Sequence, residues 1–456
     1  MEDHILVPFH GPGAGVGPLS WAQQGIWSTI VKEGSSVTMG GVTPLRAGRT
    51  VQDMAAILRF TISRHPALRT RLRFEPDGTI LQVVSESGAI PLALVDAGDD
   101  DPAAVAAAVY ERFEREDFDY ESEWPVRMAV ILRDGVPTHL AVTYLHLYID
   151  ALGLQALMAD LATMDPVNGE GAAAPMDTMQ PLDQARFQQT PAAQRQCDAS
   201  LRHLERVLRT APAQRFPEPA EPDQEPSYPS LEMHSPATRL AVRLLSDRLA
   251  MDSSQVLLCL FGVALTRVTG SNPFVTMLAV SNRFRPGLAA SVSVIAQVSP
   301  CMVDFADITF EEALGRTRQA AVRAYMNAYY DPAQRRALIK RVREERGEAF
   351  DTSCYFNDRR QQRDLRDVPM PTPQEIQAAV ALSRHSWSIP VEEIQERIYL
   401  SVDDDSDAIV TQLSADTRYL PKLRMQELAY GIESVAVQAA LNPAALTDVR
   451  SVPVGV

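Results

Sequence analysis

The middle of the chain cannot be one continuous element. Seven prolines fall between Pro212 and Pro236, and proline removes a backbone donor and blocks both a helix interior and a central strand. That stretch reads as an extended crossing segment on the surface. Upstream, Asp165 to Pro175 turns to Gly, Ala and Pro, the composition of a linker. A chain of 456 residues also exceeds one compact core, since domains commonly hold about 100–200 residues. Two units are expected, 1–175 and 176–456.

Both halves use the same mixed grammar. In the first, Leu19 to Lys32 predicts a helix with Ser20 as its cap. Val37 to Leu45 reads as a strand. Val51, Met54, Ala55, Leu58 and Ile62 fall at helical spacing over Val51 to Ser63. Leu68–Phe74 and Ile80–Val84 form a hairpin about Pro76-Asp77-Gly78. A helix over Pro102–Arg115 follows. Val126–Leu132 and Thr138–Leu145 then pair about Asp134-Gly135, and helical periodicity returns at Leu152–Leu161. A helix from Pro181 to Leu208 is interrupted at Thr190-Pro191.

The second half predicts strands at Thr238–Leu244, Val275–Val280, Val292–Val303, Thr352–Phe356, Ile394–Val402 and Ala408–Ser414. Its helices are expected at Ser253–Val268, Phe310–Tyr325, Pro332–Arg343 and Lys422–Leu441. Strands and helices mix without the steady alternation of a doubly wound sheet, so the class is α+β.

Composition excludes several functions. A net charge of -15 disfavours a nucleic-acid surface, which needs a concentrated positive field. The start, Met1-Glu2-Asp3-His4, lacks the basic and apolar regions of a signal peptide. The longest apolar run, Val256 to Leu265, is about half of the roughly 20 residues that span a bilayer. Cys197, Cys259, Cys301 and Cys354 lie too far apart for a zinc or disulfide framework. A reduced cytoplasmic protein, with no metal and no membrane or nucleic-acid partner, is the expectation. Gly11 to Gly17 is glycine-rich but lacks the dinucleotide spacing, and reads as a flexible entry segment.

Three segments carry chemistry by their order and spacing. They are Ser20-Trp21-Ala22-Gln23-Gln24-Gly25-Ile26-Trp27, Arg64-His65-Pro66-Ala67-Leu68-Arg69-Thr70-Arg71-Leu72, and Leu145-His146-Leu147-Tyr148-Ile149-Asp150-Ala151. Together they resemble the first three core motifs of nonribosomal peptide synthetase condensation domains. Those patterns are Ser-x-Ala-Gln-x-x-x-Trp, Arg-His-x-x-Leu-Arg-Thr-x-Phe and His-His-x-x-x-Asp-Gly. Leu145 stands for the first histidine and Ala151 for the glycine. Fainter likenesses continue at Ala279–Arg283, at Ile295–Pro300, where the family has Phe-Val-Asn-Thr-Leu-Pro, and at Thr352–Asn357.

The resemblance implies two chloramphenicol-acetyltransferase-like halves set as a V-shaped pseudo-dimer, with an active-site tunnel between them. It implies that no cofactor is bound and that acyl or aminoacyl substrates arrive on the phosphopantetheine arm of a carrier protein. His146 is the implied catalytic residue. It acts as base toward an attacking amine or alcohol, or positions that acceptor. Asp150 is implied to be structural, paired with Arg283. The chemistry asks for such a histidine independently, because imidazole exchanges a proton near neutral pH. Retention of His146 argues against the cyclization subgroup, which places aspartates there.

The substrate-binding residues are not legible. His65 reads as structural, pairing with local backbone, and Arg69 as solvated or in an interior ion pair. His385 reads as a loop histidine. Two arginine clusters, Arg335-Arg336 with Arg341 and Arg343, and Arg359-Arg360 with Arg363 and Arg366, are solvated faces or docking points for an acidic carrier. The functions implied are three. One is a free-standing condensation enzyme forming an amide or ester in secondary-metabolite, antibiotic-type biosynthesis. The others are an inactive recruitment module for a carrier or tailoring enzyme, and an acyltransferase that uses acyl-coenzyme A.

Overall fold

A computed structural model describes residues 3–164, 178–212, 215–216, 227–348, 350–360, 365–388 and 396–450. The expected linker at 165–175 and the expected boundary at 175/176 lie outside the described residues. The chain forms two compact units: residues 1–196 with 281–297, and residues 197–280 with 298–456. Each mixes helices and sheets, so the class is α+β as the sequence predicts.

In chain order the first unit holds β1 (Asp3–His10), β2 (Gly15–Pro18), α1 (Trp21–Glu33), β3 (Thr38–Pro44), α2 (Val51–Arg64), β4 (Thr70–Phe74), β5 (Ile80–Val84), β6 (Ser87–Asp96), α3 (Pro102–Arg115), β7 (Val126–Arg133), β8 (Val136–Leu145), α4 (Ala151–Leu161) and α5 (Pro181–Gln188). A five-stranded sheet runs in the order β1-β6-β7-β8-β3. β6 and β7 are parallel and the other pairs antiparallel. A second sheet is ordered β2-β5-β4. The β7–β8 turn takes Asp134 and Gly135 at φ 52° and 74°, the left-handed pair that a two-residue hairpin needs. α2 and α4 share a core with the large sheet through Met54, Leu58, Ile62 and Leu157.

The division between units falls inside α6 (Pro191–Thr210). The second unit continues with β9 (Ser230–Ser235), α7 (Pro236–Leu249), α8 (Ser253–Thr269), β10 (Phe274–Val280), β11 (Gln297–Val303), α9 (Phe310–Met326), α10 (Pro332–Arg346), β12 (Cys354–Asp358), α11 (Pro373–Ala379), β13 (Arg384–Ser388), β14 (Ile398–Asp404), β15 (Ile409–Ala415) and α12 (Lys422–Leu441). Its seven-stranded sheet is ordered β11-β10-β12-β14-β15-β9-β13. α8 is buried from Ser253 through Thr266, as its apolar run predicts. Among the described residues no single helix is long and apolar enough to cross a membrane.

Four local readings change. Thr238–Leu244 lies in α7 and is not a strand. Ser235 accepts from Thr238 N, Pro236 opens the helix, and Ala237, Thr238, Ala241, Val242 and Leu245 form its buried face. The end of the proline-rich stretch is β9, paired with β13 and β15, and not a surface crossing. The strand expected at Val292–Val303 begins only at Gln297. Finally, the glycine-rich start is not a loose entry. β2 pairs with β5, and a Cβ on Gly11 would lie 1.9 Å from the Ser63 carbonyl oxygen.

Candidate active site

β8 ends at Leu145, with β7 on one side and β3 on the other. One residue on, His146 N donates to Val37 O at 2.9 Å, and Tyr148 N returns to Leu145 O at 3.0 Å. The strand therefore closes into a tight turn that carries His146, partly exposed, between buried Leu145 and Leu147. His146 Nδ1 lies 2.7 Å from Ile149 O. A carbonyl oxygen only accepts, so in the neutral ring Nδ1 carries the proton and the lone pair lies on Nε2. The backbone three residues on thus selects the tautomer that suits a proton acceptor.

Asp150 N-caps α4, where its Oδ1 accepts from Gly153 N at 2.7 Å. The same oxygen accepts from Arg283 Nη2 at 2.6 Å, while Oδ2 accepts from Ile295 N at 2.9 Å and Ala296 N at 3.1 Å. The two side chains are 6% and 9% exposed. Four donors satisfy this buried carboxyl group and fix its position. Arg283 also donates to the carbonyls of Ser291 (2.6 Å), Ser293 (3.1 Å) and Leu288 (3.3 Å). Segment 281–297 is further held by Gln184 Nε2 donating to Ser293 Oγ at 2.9 Å and by Ser291 Oγ bonding Met179 O at 2.8 Å.

The two departures from the motif have local explanations. Leu145 packs among Leu19, Ile30, Ala67, Leu72 and Phe118, so an apolar side chain completes that cluster. Ala151 is the first residue of α4, is exposed, and does not have positive φ. Its Cβ costs the turn nothing. The glycine that matters is Gly153, where a Cβ would sit 2.9 Å from Ser293 O and 3.1 Å from Arg283 Nη2. Sequence reasoning missed Gly153; a glycine in the first turn of a helix, three after its cap, is the available signal.

The first two motifs build the frame. Ser20 Oγ accepts from Gln23 N, and Gln23 Oε1 accepts from Ser20 N at 2.8 Å, a reciprocal capping box. Arg69 is fully buried and not solvated. Among the described residues it has no ion pair and donates to the carbonyls of Gly11 (3.1 Å), Pro12 (2.5 Å) and Ser85, and burial pulls its pKa down to about 10. His65 does not pair with local backbone. Its Nε2 lies 3.1 Å from Asp160 Oδ2, and Arg64 makes a two-pronged bond to the same carboxylate at 2.7 Å. Burial opposes ionisation of Asp160, yet the bonds from His65 and Arg64 outweigh it and hold the carboxyl well below its ordinary range. The end of α2 is thereby tied to α4, the helix that Asp150 caps.

Other expectations resolve plainly. His385 lies on β13 and not in a loop; its Nδ1 is 2.7 Å from Tyr430 Oη. Three members of the arginine clusters have acidic partners. Arg341 bonds Glu205, Arg359 pairs with Asp403, and Arg360 is buried against Asp358. Arg363 lies outside the described residues. All four cysteines are buried free thiols, and burial pushes Cys259 and Cys301 up to about 12.

Comparison with known proteins places this arrangement. Cyclosporin synthetase simA of Tolypocladium inflatum is 26% identical over 324 residues, 68% of this chain and 2% of its own length. The chain thus spans only a small part of that relative. The condensation domain of the Monacolin K polyketide synthase MokA superposes with a TM-score of 0.73 at 16% identity, covering 96% of this chain and 100% of that one. The X-domain of teicoplanin biosynthesis, in its complex with OxyB, gives 0.68 at 20% identity over 96% and 97%. Residues 14–405 match the model of the condensation domain, and with that match over most of its length the chain belongs to the condensation-domain family.

Proposed function

We propose that this protein is a condensation enzyme joining an acyl or aminoacyl thioester, carried on the phosphopantetheine arm of a carrier protein, to an amine or alcohol acceptor. The observation that supports this reading is the 2.7 Å contact of His146 Nδ1 with Ile149 O, which in the neutral ring puts the lone pair on Nε2. As the acceptor attacks the thioester carbonyl, His146 Nε2 takes its proton. The new C–N or C–O bond forms, the tetrahedral intermediate collapses, the C–S bond breaks, and the proton passes to the departing thiolate. Asp150 and Arg283 hold the loop and take no part in proton transfer. General-base catalysis of this kind contributes roughly 10²–10⁴-fold. Intact-mass detection of acyl transfer from a loaded carrier tests it. Wild type should transfer and His146→Ala should not; equal turnover in the two would defeat the assignment. Supplying acyl-coenzyme A in place of the carrier separates a soluble-donor acyltransferase.

A second reading is favoured by the apolar, buried Leu145 where the family has its first histidine. In it the protein makes no bond and recruits a carrier or tailoring enzyme, as its likeness to a domain complexed with OxyB supports. Tight binding of a loaded carrier or an oxygenase by wild type and His146→Ala alike, with no transfer by either, would select it.

A further inference from the structure

The first unit contains a cavity of about 640 Å³ that shares no residue with the 145–150 turn. Its size falls within the roughly 300–1,000 Å³ of small-molecule sites. Arg71, on β4, lines it. Its Cζ lies over the Trp124 ring, 3.4 Å from the centroid, and Nε is buried without a hydrogen-bond partner. Among the described residues the Arg71 side chain has no hydrogen bond or salt bridge. Burial pulls its pKa down and the field of Asp119 partly restores it.

Trp124 is itself fixed. Its Nε1 donates to Ala89 O at 2.8 Å and Phe9 meets it edge-on. Arg71 is therefore a guanidinium held on a rigid platform, and its free edge suits the two oxygens of a carboxylate. The neighbouring Arg127 is already committed to Glu123 and to the carbonyls of Phe113, Glu116 and Asp117. Glu116, Asp119 and Glu123 also line the cavity. Arg112 lines it too, and Glu123 is paired with Arg127, so the lining carries both signs and suits a carboxylate that carries its own cation.

We propose that this cavity binds a small zwitterion, a free α-amino acid or short peptide, with its carboxylate on Arg71 and its ammonium toward Glu116 and Asp119. The site is independent of the transfer reaction, so its test does not rest on that reading. The chain has four tryptophans, Trp21, Trp27, Trp124 and Trp387, whose indole N–H signals are followed by NMR, with Trp124→Phe to assign the one of interest. Wild type is titrated with phenylalanine, N-acetylphenylalanine, phenylalanine amide and inorganic phosphate. Phenylalanine should shift the Trp124 signal saturably, and loss of either charge should weaken binding about tenfold or more. Arg71→Gln should abolish the shift, with Arg71→Lys retaining part of it. The wild-type series stands even if those variants fold poorly. Equal binding of the three phenylalanine probes, tighter binding of phosphate, or no movement of the Trp124 signal would overturn the proposal.

Discussion

A single added methyl group at Gly153 separates packing from chemistry. Its Cβ would press on the Ser293 carbonyl and on the Arg283 guanidinium, both already bonded around Asp150. Gly153→Ala should destabilise the chain by about 1–3 kcal/mol, the cost of overpacking, as read from urea unfolding. Asp150→Asn should cost more, about 3–5 kcal/mol, because Arg283 would keep a buried charge without its counterion. His146→Ala removes one hydrogen bond from a partly exposed side chain, so its unfolding midpoint should stay close to wild type. If Asp150→Asn leaves stability unchanged, the buried pair is not what fixes the turn.

Between elements, the tie of α2 to α4 through Asp160 sets a pH dependence. Burial lowers the pKa of His65, with Asp160 opposing and Arg64 and Arg69 assisting, and Asp160 is itself held low. Both groups bind protons less readily folded than unfolded. Their stabilisation is therefore complete above the unfolded histidine pKa of about 6.5, and is lost as pH falls through the folded values. Buried His203, bonded to Pro300 O, acts in the same sense. Thermal unfolding midpoints should fall as pH drops below that value, and His65→Gln should make the fall shallower. An unaltered slope in that variant would remove His65 from the account. Elements with strong local periodicity, such as α2, α8 and α12, were legible from the chain alone. α7 was not, because Leu, Val and Thr in a short run suit a strand equally well, and only the Ser235 cap and Pro236 decide for a helix. β9 was hidden for the opposite reason, since nearby prolines mask a strand whose partners lie far along the sequence.

For the molecule as a whole, the first unit is discontinuous. Segment 281–297 supplies Arg283, the two amides on Asp150, and Val292 of the α2–α4 core. Residues 1–196 alone should thus lack fixed packing, with weak near-UV circular dichroism and strong dye binding; a native-like spectrum would contradict this. The pairing of Asp150 with Arg283 was foreseen only through the family pattern, because 133 residues separate them. The carbonyls and amides that complete the cluster left no mark in the sequence, since backbone groups are supplied by any residue. The place of His146 at the end of β8 was legible in the sequence, and its contact with Ile149 O was not.

The central claim is that His146 Nε2 accepts the proton of the attacking group. The most direct measurement is the single-turnover rate of acyl transfer from a loaded carrier to an amine, in wild type and His146→Ala of equal stability. A drop of roughly 10²–10⁴-fold is predicted, and equal rates in the two proteins would contradict it.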